Sequence, residues 1–127
     1  MKPQRLNPDG FPQPLAAYCY VTKKGPMVFT AGMVALDEQG NVVGEGDAAA
    51  QTREVIESIR KALAAAGADL EDVVKTTIFL SDLGNYKAMN AVYSEYFGQN
   101  PPVRSCIEAK LVLPTLLVEI EAVAVVD

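Results

Sequence analysis

A chain of 127 residues is long enough for one domain with a single core and too short for two, and an apolar half with 21% charged residues is the balance of an ordinary folded globule. The formal charge of −5, with Lys23-Lys24 and Arg60-Lys61 as the only basic doublets, argues against a nucleic-acid partner. Histidine is absent, which removes the commonest general base and the commonest metal ligand, so chemistry must fall to carboxylates, Arg, Lys, Tyr, backbone groups or bound water.

Met1-Lys2-Pro3-Gln4-Arg5 leads into polar sequence without an apolar segment, and no apolar run reaches membrane-span length. A cytoplasmic protein with no membrane partner is therefore expected. Cys19 and Cys106 are read as free thiols in a reducing compartment.

Along the chain, the Pro-, Gly- and Asn-rich stretch to Gln13 reads as irregular or as a short edge strand. Ala17 to Thr22 and Met27 to Ala31 are predicted strands joined by the turn Lys23-Lys24-Gly25-Pro26. Val34 to Gly46 is loop-like, with Asp37 to Asn41 as a hairpin tip. Asp47 opens a helix to about Ala66: Val55, Ile56, Ile59, Leu63 and Ala66 recur at helical spacing, and Gly67 suits a left-handed cap. Val73 to Leu80 is a β-branched strand. Ser81 or Asp82 caps a second helix to about Phe97, with Tyr86, Met89, Tyr93 and Phe97 on one stripe, most simply core. Strands at Arg104 to Ala109 and Leu117 to Val126 close the chain.

The single domain, residues 1–127, is thus α+β, with two helices on one mixed β-sheet. Two helices cover only one face. Yet the last strand is apolar on both, with Val118, Ile120, Ala122 and Ala124 on one side and Leu117, Val123 and Val125 on the other. Burying the second face calls for self-association.

Glu119 and Glu121 also lie on that second face, two residues apart. Carboxylates there are either a structural ion pair or solvated strand end, or a general base whose pKa burial raises. An acid/base pair about 7 Å apart is a weaker third reading. Arg104, stiffened by Pro101-Pro102, either bridges to Glu119 or Glu121 across a terminal hairpin or grips a ligand carboxylate through two parallel hydrogen bonds. Cys106 alone reads as a core thiol rather than a nucleophile.

Pro102-Val103-Arg104-Ser105-Cys106-Ile107-Glu108 followed by Val118-Glu119-Ile120-Glu121-Ala122-Val123-Ala124 resembles the C-terminal signature of the RidA (YjgF-type) family. Val74 to Leu80 with Asp82-Leu83, Met89 to Tyr93 with Tyr96-Phe97, and Thr30-Ala31-Gly32 extend the resemblance over most of the chain. It implies a chorismate-mutase-like homotrimer with clefts between subunits. It also implies hydrolysis of reactive 2-imino and 2-enamino carboxylates to 2-keto acids and ammonia, without metal or cofactor.

By that resemblance Arg104 binds the substrate carboxylate and Glu119 orients and activates water. The backbone at Gly32 and Cys106 holds oxygens, and Tyr18 and Asn90 line the cleft. The first motif departs from the family's pattern, reading Ala16-Ala17-Tyr18-Cys19-Tyr20, while Ala31 and Met33 stand where the family has Ser and Gln. Those changes predict a bulkier, less polar cleft. A trimeric binding module for small carboxylate metabolites is the alternative; a ribonuclease is a third, disfavoured by the acidic charge and missing histidines.

Overall fold

The computed structural model describes residues 1–127. It contains β1 (Gln4–Leu6), β2 (Val21–Lys24), β3 (Met27–Thr30), β4 (Met33–Val34), α1 (Ala48–Ala65), β5 (Val73–Leu80), α2 (Tyr86–Phe97), β6 (Val103–Glu108) and β7 (Val118–Val125). Short 3₁₀ turns at Leu70–Asp72 and Leu83–Asn85 lead into β5 and α2.

The strands form one mixed sheet in the order β1-β2-β3-β7-β5-β6, with β4 also paired to β7. Only β5 and β6 run parallel. Both helices lie on one face, as their apolar periodicity requires. Val55, Ile56, Ile59 and Leu63 of α1, with Met89, Tyr93 and Phe97 of α2, meet Ile78, Leu80, Val118, Ile120 and Ala122 of the sheet in one core. No helix is long and apolar enough to cross a membrane.

Local chemistry sets the helix ends. The Asp47 carboxylate accepts from the Ala50 amide at 3.0 Å and opens α1. Gly67, at φ +79°, turns the chain out of the helix, and the Ala68 amide reaches back to the Leu63 carbonyl. Lys23 Nζ donates to the Ala66 carbonyl at 3.0 Å and ties that end to β2. Asp82 caps the 3₁₀ turn at Leu83–Asn85 by accepting from Gly84, so α2 starts at Tyr86 and not directly after the cap.

Two sequence-based expectations fail here. The strand expected from Ala17 begins only at Val21, because the Tyr20 amide bonds the Asn7 side chain at 3.1 Å and the Tyr20 hydroxyl bonds the Pro12 carbonyl at 2.6 Å. The turn is narrower than expected, the Gly25-Pro26 pair alone, because Lys23 and Lys24 pair with Val28 and Met27 in the β2–β3 ladder. The last two strands also do not form a hairpin. β6 pairs only with β5, at the sheet edge, and β7 lies on the other side of β5.

The sheet face away from the helices carries Phe29, Val123, Val125, Phe79, Val103 and Ile107 beside Glu119 and Glu121. Val103 is 67% exposed and Ile107 47%. No element of the chain covers this face.

Candidate functional site

Arg104 enters β6 directly after Pro101-Pro102-Val103 and sits in register with Thr76 of β5, which in turn faces Ala122 of β7. Thr76 and Ala122 are buried on the helix side, so the Arg104 side chain emerges there too, beside α2. Its guanidinium carbon lies 4.8 Å from the Tyr93 ring centroid and 5.6 Å from that of Tyr86. Arg104 Nη2 donates to the Tyr86 hydroxyl at 2.6 Å. Tyr93 is fixed in turn by a 2.7 Å hydrogen bond between its hydroxyl and that of Thr76, both side chains being buried.

These contacts open onto a pocket of about 320 Å³ lined by Asn90, Tyr93, Ser94, Phe97, Gly98, Pro101, Pro102 and Arg104. Cys106, two residues on, points to the same face. Burial pushes its thiol pKa up, against the pull of Arg104. That makes it a poor thiolate nucleophile.

The ion pair considered between Arg104 and Glu119 or Glu121 does not form. The chain's ion pairs are Arg53–Glu95 at 2.9 Å and Arg60–Glu57 at 3.3 Å, both on the helices. The physical reason is the topology: β5 separates β6 from β7, and the two glutamates point to the opposite face. Arg104 is left with no carboxylate of its own chain.

Glu119 and Glu121 do share a face. Glu119 is half-buried, and its burial raises the carboxyl pKa, with the neighbouring Glu121 adding to the shift. Its side chain closes over Gly32 so tightly that a Cβ on Gly32 would collide with its carboxylate oxygen. Close approach, not a left-handed backbone, is what glycine supplies at this position.

Tyr18 lies elsewhere again, half-exposed ahead of β2, its ring edge-on to Tyr20 at 5.7 Å. Burial pushes the Tyr20 hydroxyl up to about 12, with Tyr18 contributing. Within the chain the expected residues therefore separate into three places. Arg104, Asn90 and Cys106 are together on the helix face; Glu119 and Gly32 are together on the other face; Tyr18 stands apart.

Two further corrections concern side chains. Met33 does not bulk out a cleft: it is 2% exposed, inside the core opposite Ile120. Tyr86 is not core either, being 40% exposed and bonded to Arg104. Its place at the very start of the Met89, Tyr93, Phe97 stripe, where a helix has just emerged from its cap, was the available signal that it overhangs the core.

Comparison with known proteins gives the chain's relatives. The family described as Endoribonuclease L-PSP matches residues 10–126. The protein named 3-aminoacrylate deaminase RutC from Acinetobacter baylyi is 46% identical over 98% of both chains. The structure of the YjgF gene product from E. coli superposes with a TM-score of 0.86 at 31% identity, covering 96% of this chain and 98% of the other. That of E. coli TdcF with bound serine superposes with a TM-score of 0.89 at 28% identity, covering 98% and 100%.

Proposed function

Because the chain belongs to the Endoribonuclease L-PSP (YjgF/RidA) family, we propose that it hydrolyses small enamine or imine carboxylates to the corresponding carbonyl acid and ammonia. The observation that carries this reading is Arg104, a guanidinium stacked on a fixed tyrosine at the mouth of a pocket, with no counter-ion of its own. A cation held in one orientation is suited to a ligand carboxylate, which it can take through two parallel hydrogen bonds. The name of the RutC relative supports the type of reaction.

The chemistry asks little of the protein. Water adds to the C=N carbon, the nitrogen gains a proton, and ammonia leaves as the carbonyl forms. Glu119, its pKa raised by burial, is a better base than an ordinary carboxylate and orients that water. The backbone at Gly32 and Cys106 offers groups for the substrate oxygens, and Tyr18 and Asn90 line the cleft. Holding the reactants in place supplies much of the remaining acceleration.

Arg104 and Glu119 leave opposite faces of the sheet, so one small substrate meets both only if two copies of the chain contribute. The uncovered apolar face that carries Glu119 supports the same conclusion, and a homotrimer with sites between subunits is the assembly we infer.

The reading is tested by adding purified protein to an amino-acid oxidase reaction and following imine loss with a semicarbazide trap, across a panel of amino acids. A second arm uses 3-aminoacrylate, in which the amino group is on carbon 3 and the attacked carbon is one bond further from the carboxylate. Acceleration in either arm is expected, and its loss in Arg104→Ala. No acceleration in both contradicts the proposal.

A second reading, a binding module for small carboxylates, draws on the serine bound in the TdcF structure and on the altered segment Ala16-Ala17-Tyr18. Thermal stabilisation by keto or amino acids without turnover would favour it. A ribonuclease is disfavoured by the charge of −5 and the lack of histidine.

A further inference from the structure

We propose that Tyr86 is a positioning and specificity residue of the Arg104 site: its hydroxyl sets the direction of the guanidinium fork and lends its own proton to the bound carboxylate. This rests on the reading of Arg104 as the carboxylate anchor.

A guanidinium at the end of a flexible side chain has two freedoms that matter to a ligand, the tilt of its plane and rotation within that plane. Tyr93 governs the first, with its ring 4.8 Å from the guanidinium carbon and its hydroxyl bonded to Thr76. Tyr86 governs the second by accepting one Nη2 proton at 2.6 Å. Four N–H groups remain, among them the second on Nη2, so a two-pronged grip on a carboxylate is still available. Since the Tyr86 oxygen acts as acceptor, its own proton is left without an acceptor in the chain. A carboxylate drawn to Arg104 arrives beside that proton.

The position of Tyr86 argues that its hydroxyl serves a ligand more than the fold. It is the first residue of α2 and 40% exposed, while Met89, Tyr93 and Phe97 fill the core from the same stripe. Phenylalanine would cover the same surface and stack on the same guanidinium.

The test is Tyr86→Phe, read in the semicarbazide assay on whichever substrate the wild type turns over fastest, with pyruvate as a competitive inhibitor and Arg104→Ala alongside. The KM should rise about three- to tenfold, as befits a partly exposed hydrogen bond to a charged group. Pyruvate inhibition should weaken by the same factor, the loss should fall on KM more than on kcat, and the melting temperature should hold. An unchanged KM in Tyr86→Phe, with Arg104→Ala inactive, overturns the role of Tyr86 and leaves the anchor standing. A KM change accompanied by a clear fall in melting temperature and no change in pyruvate affinity overturns it too, since that is a structural effect. A wild-type KM in Arg104→Ala removes the anchor itself.

Discussion

Arg104 and Glu119 stand on opposite faces of one sheet, with β5 between the strands that carry them. Arg104 has no counter-ion on its side of the sheet, and burial raises the pKa of the Glu119 carboxyl on the other.

At Arg104 the shape of the cation matters as well as its charge. Lysine keeps the charge but has no planar fork to set over the Tyr93 ring while also bonding Tyr86. Arg104→Lys should therefore lose at least about tenfold in kcat/KM, and guanidinium added to Arg104→Ala should restore more activity than methylammonium. Equal rescue by the two cations would show that charge alone suffices.

Gly32 has no room for a methyl group. In Gly32→Ala the new Cβ meets the Glu119 carboxylate and must displace it. The obstructing atoms are the far end of a flexible side chain, so stability should change little, while the displaced carboxylate should lower kcat strongly. Urea unfolding and the imine assay read the two effects separately. Wild-type activity in this variant would mean that Glu119 does not need its observed position.

The raised pKa of Glu119 makes a prediction about pH and stability. The folded chain keeps this proton at pH values where the unfolded chain, near the ordinary value of 4.5, has lost it. The stabilisation is thus complete below the unfolded pKa and fades as pH rises through the folded one. Glu119→Gln cannot ionise, so its unfolding free energy should gain on the wild type as pH rises from about 4 to about 8. Denaturant titrations across that range check it. The opposite trend would mean that the carboxylate is stabilised in its charged form.

Gln51 offers a stability prediction away from the site. It is fully buried on α1, and its Nε2 donates to the Gly44 and Thr115 carbonyls at 3.2 and 2.9 Å while its Oε1 accepts from the Leu117 amide at 2.8 Å. Replacement by leucine leaves the Thr115 carbonyl and the Leu117 amide without these partners, while the Gly44 carbonyl keeps the Asp47 amide at 2.9 Å. A loss of roughly 2 kcal/mol or more is expected from two unmet polar groups, measurable by urea unfolding. A loss below about 1 kcal/mol would mean that water reaches those groups.

The fold was legible in the sequence wherever periodicity decides. The α1 stripe, its Asp47 cap and Gly67 exit, and the alternation of β7 all appear as written. What periodicity cannot tell is which strand neighbours which. The alternation in β6 is the same whether it turns back on β7 or runs beside β5, and the stretch 109–117 is long enough for either. The side of the sheet on which Arg104 emerges relative to Glu119 hangs on that choice. For the same reason Tyr86 passed as core, because a helical stripe fixes a direction and not how far the underlying sheet extends. Tyr18 and Tyr20 alternate like a strand, yet the Tyr20 amide goes to the Asn7 side chain and its hydroxyl to the Pro12 carbonyl, so the ladder starts only at Val21.

The most direct test of the account is complementation between two inactive variants. Arg104→Ala and Glu119→Gln, each inactive alone, are mixed under conditions where subunits exchange, with light scattering confirming a mass that is a multiple of 13.6 kDa. If each site joins Arg104 of one copy to Glu119 of another, random mixing leaves about one site in four with both groups intact. Roughly a quarter of wild-type imine hydrolysis should then return. A mixture as inactive as its components, from subunits shown to have exchanged, would contradict a site shared between copies.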